Sequence, residues 1–180
     1  MSGHNKWSQI KRQKEKTDAQ KSKIFSKYAK LITQEAKKAK GNRDAAGLRA
    51  AVEKAKAENM PNDNIERAVK KGTGTDAGTM ESIAYESYGP GGCAIIIEAM
   101  TDNRNKAAQE IKHILSKNGS ELAAVGSATW AFTKNPPGSE IKWTPNMPVT
   151  LSDEDGAKLV ALIEELEEND EVQGVYTNAD

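Results

Sequence analysis

The chain has 180 residues, of which 37% are hydrophobic and 29% charged, and its formal net charge is zero. This length and hydrophobic content suit one large or two small globular domains. The single cysteine, Cys93, excludes an internal disulfide and a cysteine-built metal site, and no apolar run approaches the length of a membrane span.

These features predict a cytoplasmic protein. A lone cysteine fits a reducing compartment, and the N-terminus lacks the apolar core of a secretory signal. We therefore expect no membrane partner.

Charge is divided unevenly along the chain. Residues 1–72 carry 19 lysines and arginines against 8 acidic residues, whereas residues 73–180 carry 7 against 18. Such asymmetry is typical of a polyanion-binding part joined to an acidic part. The acidic part could also dock on the basic part and mask its charge.

The first 32 residues form a dense run of positive charge. Its cations are Lys6, Lys11, Arg12, Lys14, Lys16, Lys21, Lys23, Lys27 and Lys30. Only Glu15 and Asp18 oppose them, and Trp7 stands among them. Cations displace counterions from phosphates and an aromatic ring can stack on a base, so the run suits a nucleic acid. A solvated terminus is the alternative.

Helical patterns follow. Apolar residues recur at three- and four-residue spacing from Ser22, and Gly41 and Asn42 end this first predicted helix. Asn42 or Asp44 can cap a second helix that runs to about Glu58.

A third helix is predicted after Pro61, with Asn62 as its cap and Gly72 as its left-handed exit. We therefore predict a basic tail and three-helix bundle over residues 1–72, followed by a linker over residues 73–79. No helix gathers the Arg, Asn and Gln side chains that read base edges, so recognition of backbone or shape is expected.

Strand and helix patterns alternate over residues 80–180. The predicted strands are Met80–Tyr88, Cys93–Met100, Ser127–Thr133, Ile141–Thr144 and Val172–Tyr176, and the predicted helices are Arg104–Lys117 and Asp153–Glu168. This is the ferredoxin-like order with one extra strand in front. The predicted fold class is α+β: a basic N-terminal three-helix bundle followed by an acidic, ferredoxin-like antiparallel α/β sandwich.

No catalytic chemistry is indicated. His4 and His113 fall in different predicted domains without a cysteine or carboxylate at ligand spacing, so no metal site is expected. Cys93 begins an apolar strand, and no acid or base is placed by sequence to activate it. We predict a protein that is not an enzyme and has no cofactor and no small-molecule substrate.

Two loops leave alternatives open. Gly89–Gly92 suits a hairpin connection or the close approach of a ligand. Arg104 and Lys106 lie at a helix start, where the helix dipole disfavours cations, so a bound phosphate would relieve the mismatch. The alternative is that Asp102 caps the helix and offsets them.

Seven short blocks span nearly the whole chain: Gly3–Trp7, Lys11–Arg12, Lys21–Phe25, Asn59–Pro61, Tyr85–Gly92, Asp102–Asn105 and Val172–Asn178. Together they resemble the YebC/PmpR family. The resemblance implies a cytoplasmic, non-enzymatic protein, usually described as a DNA-binding transcriptional regulator. It also implies relatives that activate mitochondrial translation of cytochrome oxidase or act at the ribosome.

The candidate nucleic-acid-binding residues, taken from these blocks and from the basic run, are Lys6, Trp7, Lys11, Arg12, Lys14, Lys21, Lys23 and Lys27, with Arg104 secondary. The leading hypothesis is a DNA-binding transcriptional regulator. A translation factor that binds ribosomal RNA is the alternative, because a tail with a stacking Trp7 suits folded or single-stranded targets. A protein-interaction adaptor that uses the acidic domain is a further alternative, and we expect a monomer.

The chain departs from the family pattern at one place. Family members carry a third α/β domain inserted after the strand that matches Ser127–Thr133, whereas here only Asn135–Ser139 spans that gap. A natural short paralogue and an engineered deletion both fit this departure. A function that requires the inserted domain is not implied for this chain.

Overall fold

Helices come first and a sheet follows in this computed structural model, which describes residues 17–75, 80–136, 139 and 141–180. The helices are α1 (Asp18–Lys38), α2 (Ala46–Ala57), α3 (Asn62–Thr73), α4 (Arg104–Lys117) and α5 (Asp153–Glu168). The strands are β1 (Glu81–Tyr88), β2 (Ala94–Thr101), β3 (Glu121–Ala123), β4 (Phe132–Lys134), β5 (Trp143–Pro145) and β6 (Val172–Thr177).

The predicted three-helix bundle is confirmed. Its α1 begins earlier than the apolar pattern indicates, because Thr17 and Gln20 form a capping box that satisfies two backbone N–H groups. The three helices enclose a small core made of Ile32, Ala36, Leu48, Ala51, Ala55, Met60, Ile65, Ala68 and Val69. Small side chains dominate this core, so the helices can approach closely.

The second helix starts differently from its prediction. It begins at Ala46, and no side chain caps it. Asn42 instead accepts a hydrogen bond from the backbone N–H of Asp44 at 3.0 Å, which orders the preceding turn. Gly41 adopts a φ of +80° in that turn, as predicted for a left-handed exit.

Gly72 is not the left-handed exit that the sequence suggests. It lies inside α3 and is buried against α1. A Cβ at this position would stand 2.3 Å from the carbonyl oxygen of Thr33 and 2.8 Å from the Cβ of Ala36. The missing side chain therefore sets how closely α3 packs on α1, and the helix continues to Thr73.

We expect Gly72→Ala to destabilise the bundle by about 1–3 kcal/mol, because the added methyl group must push two helix backbones apart. Gly74→Ala is the matched control, since a Cβ there would meet its nearest atom at an ordinary 3.5 Å. Urea unfolding, monitored by far-ultraviolet circular dichroism, measures the free energy of unfolding of both variants. Equal stabilities for the two variants would contradict this packing.

Four strands form one antiparallel sheet in the order β3-β1-β2-β6. Helices α4 and α5 cover one face and enclose a core of Cys93, Ile95, Ile97, Ala99, Ile111, Ile114, Leu115, Leu159, Leu162, Leu166, Val172 and Ala179. The α+β class and the antiparallel sheet covered by two helices are confirmed.

The predicted strand over Ser127–Thr133 is wrong. Thr129–Ala131 forms a 3-10 turn, and only Phe132–Lys134 is extended. This short β4 pairs with β5 in a separate two-stranded sheet, while β3, which the sequence analysis missed, joins the main sheet beside β1.

A buried carboxylate explains why the chain turns at this place. Glu86 on β1 is 4% exposed and accepts hydrogen bonds from the backbone N–H groups of Gly126, Ala128 and Thr129, at 2.6, 2.6 and 3.0 Å. Converging three N–H groups on one carboxylate requires a turn instead of a strand.

The second face of the sheet is covered by the segment that contains β4 and β5. Its apolar contacts are Ala94, Ile96, Ala128, Ala131, Phe132 and Trp143. Within this layer Glu98, 5% exposed, accepts hydrogen bonds from the indole Nε1 of Trp143 and the Nζ of Lys142, both at 2.7 Å. Burial, with the charge of Glu98 adding to it, raises the pKa of Tyr176 to about 12.

We expect Trp143→Phe to lower the free energy of unfolding by about 1–3 kcal/mol, because it leaves a buried carboxylate short of a donor. Trp130→Phe is the control. Trp130 is 56% exposed and its Nε1 donates to the Tyr88 hydroxyl at 3.0 Å, so we expect a loss below about 1 kcal/mol. Denaturant unfolding of both variants makes the comparison, and a larger loss in Trp130→Phe would contradict it.

Candidate nucleic-acid interface

The structure places part of the predicted site. Lys6, Trp7, Lys11, Arg12 and Lys14 lie outside the described residues. The described candidates are Lys21, Lys23, Lys27 and Arg104. The first three lie on α1, which continues the basic run of the sequence into a helix, and Arg104 begins α4 in the other part of the molecule.

Lys21 projects into solvent at the start of α1. Its side chain is 55% exposed, and its Nζ stands 3.9 Å from a carboxylate oxygen of Asp18. An exposed ion pair at this distance is weak and is screened by salt. Among the described candidates, Lys21 is therefore the one whose charge a phosphate could most readily take up.

Lys23 and Lys27 have a second role, which the sequence analysis raised only in general terms as the docking of the acidic part on the basic part. Together with Lys30 they occupy one side of α1, because residues four and three apart lie on the same helical face. The Nζ of Lys23 donates to the backbone carbonyl oxygen of Glu168 at 3.1 Å, and the Nζ of Lys30 donates to the backbone carbonyl oxygen of Asp170 at 2.9 Å. Lys27 donates to the carbonyl oxygen of Glu167 between them. We call these three residues the lysine stripe.

The carbonyl groups that the lysine stripe contacts lie at and just beyond the C-terminal end of α5. The last carbonyls of a helix have no partner within the helix, and the dipole makes that end negative. The last turn of α5 contains no basic residue. Helix α1 therefore supplies the cations that α5 lacks. The signal for this contact in the sequence was the absence of a basic residue at the end of an acidic helix.

Glu171 adds an ionic contact at the same place. It is 6% exposed, and its two carboxylate oxygens lie 3.7 Å from the Nζ of Lys30 and 3.6 Å from the Nζ of Lys106. Lys30 belongs to α1 and Lys106 to α4, so one buried carboxylate joins the bundle to the α+β domain. A carboxylate that is this buried is tolerated where cations neutralise it.

Protein carboxylates stand beside the cations at the start of α4. The guanidinium of Arg104 donates to one carboxylate oxygen of Glu81, from Nε at 3.2 Å and from Nη2 at 3.0 Å. The side chain of Asn103 caps the helix by accepting from the backbone N–H of Lys106 at 3.1 Å. The described contacts therefore fit the alternative in which groups of the protein offset the cations at this helix start. The groups are Asn103, Glu81 and Glu171, whereas the sequence analysis named Asp102.

The Gly89–Gly92 loop is a close-packed hairpin connection. The N–H of Gly89 donates to the carbonyl oxygen of Cys93 at 2.8 Å, which closes the turn between β1 and β2. Gly91 has a φ of +68°, and a Cβ there would lie 2.5 Å from a methyl group of Leu151. The glycines are needed for this turn and for its contact with the segment before α5.

A second set of cations lines a shallow groove on the bundle. Arg43, Arg67 and Lys70 face it, together with Glu66. Arg43 forms a two-pronged pair with Glu66, with N–O distances of 2.8 and 2.5 Å, and this hydrogen bonding lowers the pKa of Glu66. Arg67 and Lys70 are exposed, and the sequence analysis did not single them out.

Three further features concern the described part of the chain. There, no group of three or more His, Cys, Asp and Glu side chains could hold a metal ion. None of its helices is both long and apolar enough to cross a bilayer. Cys93 is fully buried, and burial raises the pKa of its thiol, which makes it a poor nucleophile.

Comparison with family models gives matches along nearly the whole chain. Residues 5–75 match the model described as the TACO1/YebC protein N-terminal domain. Residues 80–136 and 133–179 match the model described as the TACO1/YebC second and third domain. The second match is divided at β4, where the sequence departs from the pattern of the family it resembles.

Individual relatives agree with this result. A probable transcriptional regulatory protein of Thermoanaerobacter pseudethanolicus is 39% identical over 239 aligned positions that cover 100% of this chain and 97% of the relative. Because the chain has 180 residues, that alignment passes over positions of the relative that have no counterpart here. A probable transcriptional regulatory protein of Desulfatibacillum aliphaticivorans is 54% identical over 74% of this chain and 55% of its own length.

One solved structure has the same fold. The crystal structure of a conserved hypothetical protein from Aquifex aeolicus superimposes with a TM-score of 0.82 at 31% sequence identity. The superposition covers 97% of this chain and 96% of that one.

Proposed function

The chain belongs to the TACO1/YebC family, and from this premise we propose that it is a cytoplasmic, nucleic-acid-binding transcriptional regulator without catalytic activity. The relatives named probable transcriptional regulatory proteins support the regulatory role. The observation that carries the proposal is the basic run of residues 1–32, the second half of which lies in the lysine-rich helix α1.

The proposed contacts are made to phosphates. Three of the candidates rank second, because each already has a partner within the protein: Lys23, Lys27 and Arg104. The first-ranked residues are Lys6, Trp7, Lys11, Arg12, Lys14 and Lys21. Phosphate contacts give affinity and register without reading sequence. We therefore propose a protein that binds through charge and shape, as a monomer, with no small-molecule substrate.

Duplex DNA is the proposed target, and ribosomal RNA is the alternative. The names of the relatives favour DNA, whereas Trp7 among the cations favours RNA, because unpaired bases can stack on an exposed indole. Direct competition decides between them: ribosomes and promoter duplex are offered together at one salt concentration, and the partition of bound protein is measured. Protein found only on ribosomes would replace the DNA proposal.

We expect Lys11→Ala, Arg12→Ala and Lys14→Ala, combined, to weaken binding to all duplex sequences by similar factors. Each lost phosphate contact reduces the slope of log affinity against log salt by about 0.9 in magnitude, so the slope should fall by up to about 3. Fluorescence anisotropy between 50 and 300 mM salt measures both quantities.

The control for this variant removes the same charge elsewhere. This control combines three substitutions of exposed lysines in the acidic part of the chain, on α4 and α5: Lys112→Ala, Lys117→Ala and Lys158→Ala. Its salt slope should stay near that of the original protein. Equal slopes for both triple variants would refute the assignment of the basic run.

Deletion of residues 1–16 separates the regulator from the adaptor hypothesis. The deletion leaves the Thr17 capping box and all of α1 in place, so the bundle should still fold. A nucleic-acid binder should lose at least tenfold in affinity, because several phosphate contacts disappear together. An adaptor that works through its acidic domain should retain its protein partner, which pull-down with the truncated protein would reveal.

A further inference from the structure

The bundle and the α+β domain meet through polar groups. Their apolar clusters have no residue in common: with the partly buried residues packed against them, one lies within residues 25–69 and the other within residues 85–179. Among the described residues, the contacts that join α1 to the α5 end include the three hydrogen bonds of the lysine stripe and the Lys30–Glu171 ion pair. On the other side of the bundle, Lys54 donates to the carbonyl oxygen of Ser139 at 3.3 Å.

A contact of this kind is sensitive to competing anions. The bonds of Lys23 and Lys30 are exposed to solvent, so salt screens them. Their acceptors are neutral carbonyl groups, and a charged phosphate oxygen forms a stronger hydrogen bond with an ammonium group than a carbonyl does. A polyanion lying along α1 would therefore draw the lysine stripe away from α5.

We propose that the lysine stripe and Glu171 form a latch that a phosphate backbone opens: nucleic acid bound along α1 takes over Lys23, Lys27 and Lys30 and releases the acidic domain from the bundle. This inference rests on the proposed function. Charge favours the release in a second way, because residues 73–180 carry 18 acidic residues against 7 basic ones and are repelled by phosphates close to α1.

The coupling is reciprocal. If nucleic acid favours the open arrangement, a change that weakens the latch raises the affinity for nucleic acid by up to the factor by which it weakens the latch. Glu171→Gln removes the buried charge that holds Lys30, and leaves the lysine stripe itself available for phosphate. We expect it to tighten binding about threefold, the scale of one partly screened ion pair.

Glu165→Gln is the matched control for the affinity measurement. It removes the same charge from α5 only one turn before the latch, but its carboxylate pairs with Lys117 at 2.7 Å and with Asn118 at 2.8 Å, not with α1. Its affinity for a 30-base-pair duplex should equal that of the original chain. Equal affinities for Glu171→Gln and Glu165→Gln would overturn the latch.

Spin-label distances test the opening directly. Ala57→Cys on α2 and Ser116→Cys on α4 are exposed positions in the two domains, and Cys93 is fully buried, so labels attach to the introduced thiols. At 50 mM salt the full chain should show one narrow distance distribution. Saturating duplex should shift it to longer, broader distances.

The outcomes for the latch and for the proposed function are distinguishable. Binding of duplex with an unchanged distance distribution would overturn the latch and leave the function standing. If neither duplex nor RNA binds, the proposed function fails. A salt titration of the labelled protein alone then decides whether the contact between the lysine stripe and the end of α5 is electrostatic. Distances that stay narrow up to 1 M salt would overturn the latch; broadening would support an electrostatic contact.

Discussion

The C-terminal end of α5 requires positive charge that α5 itself does not supply. Its final carbonyl groups have no intrahelical partner, and its last turn contains no lysine or arginine. The lysine stripe of α1 provides these donors, and Glu171 binds Lys30 and Lys106 beside them. This contact helps to determine how the basic bundle sits on the acidic domain, and it occupies Lys23 and Lys27, which are also among the residues proposed to bind nucleic acid.

On the second face of the sheet, buried carboxylates are the groups that hold a covering segment in place. Glu86 and Glu98 extend from the two central strands and bind backbone N–H groups, an indole and a lysine of the segment that contains β4 and β5. This segment covers the second face of β2, all eight residues of which are buried. Phe132 in β4 and Trp143 in β5 are therefore part of the core in this chain.

Basic charge in this protein is consequently divided between two uses. The lysines before and at the start of α1 are the ones we propose for a polyanion, whereas Lys23, Lys27 and Lys30 further along the same helix contact the end of α5. In the proposed latch, α1 couples the binding of nucleic acid to the position of the acidic domain, because phosphates and the carbonyl groups at the end of α5 compete for the same ammonium groups.

Elements whose signals are local could be predicted from the amino-acid sequence alone. Periodic apolar residues predicted α4 and α5 with their observed bounds, and the division of charge predicted which part is basic and which acidic. The roles of Gly72, Glu86 and Lys27 emerged only from the folded structure. Their partners lie far away along the chain, 140 residues in the case of Lys27 and Glu167, and no local pattern encodes such pairs.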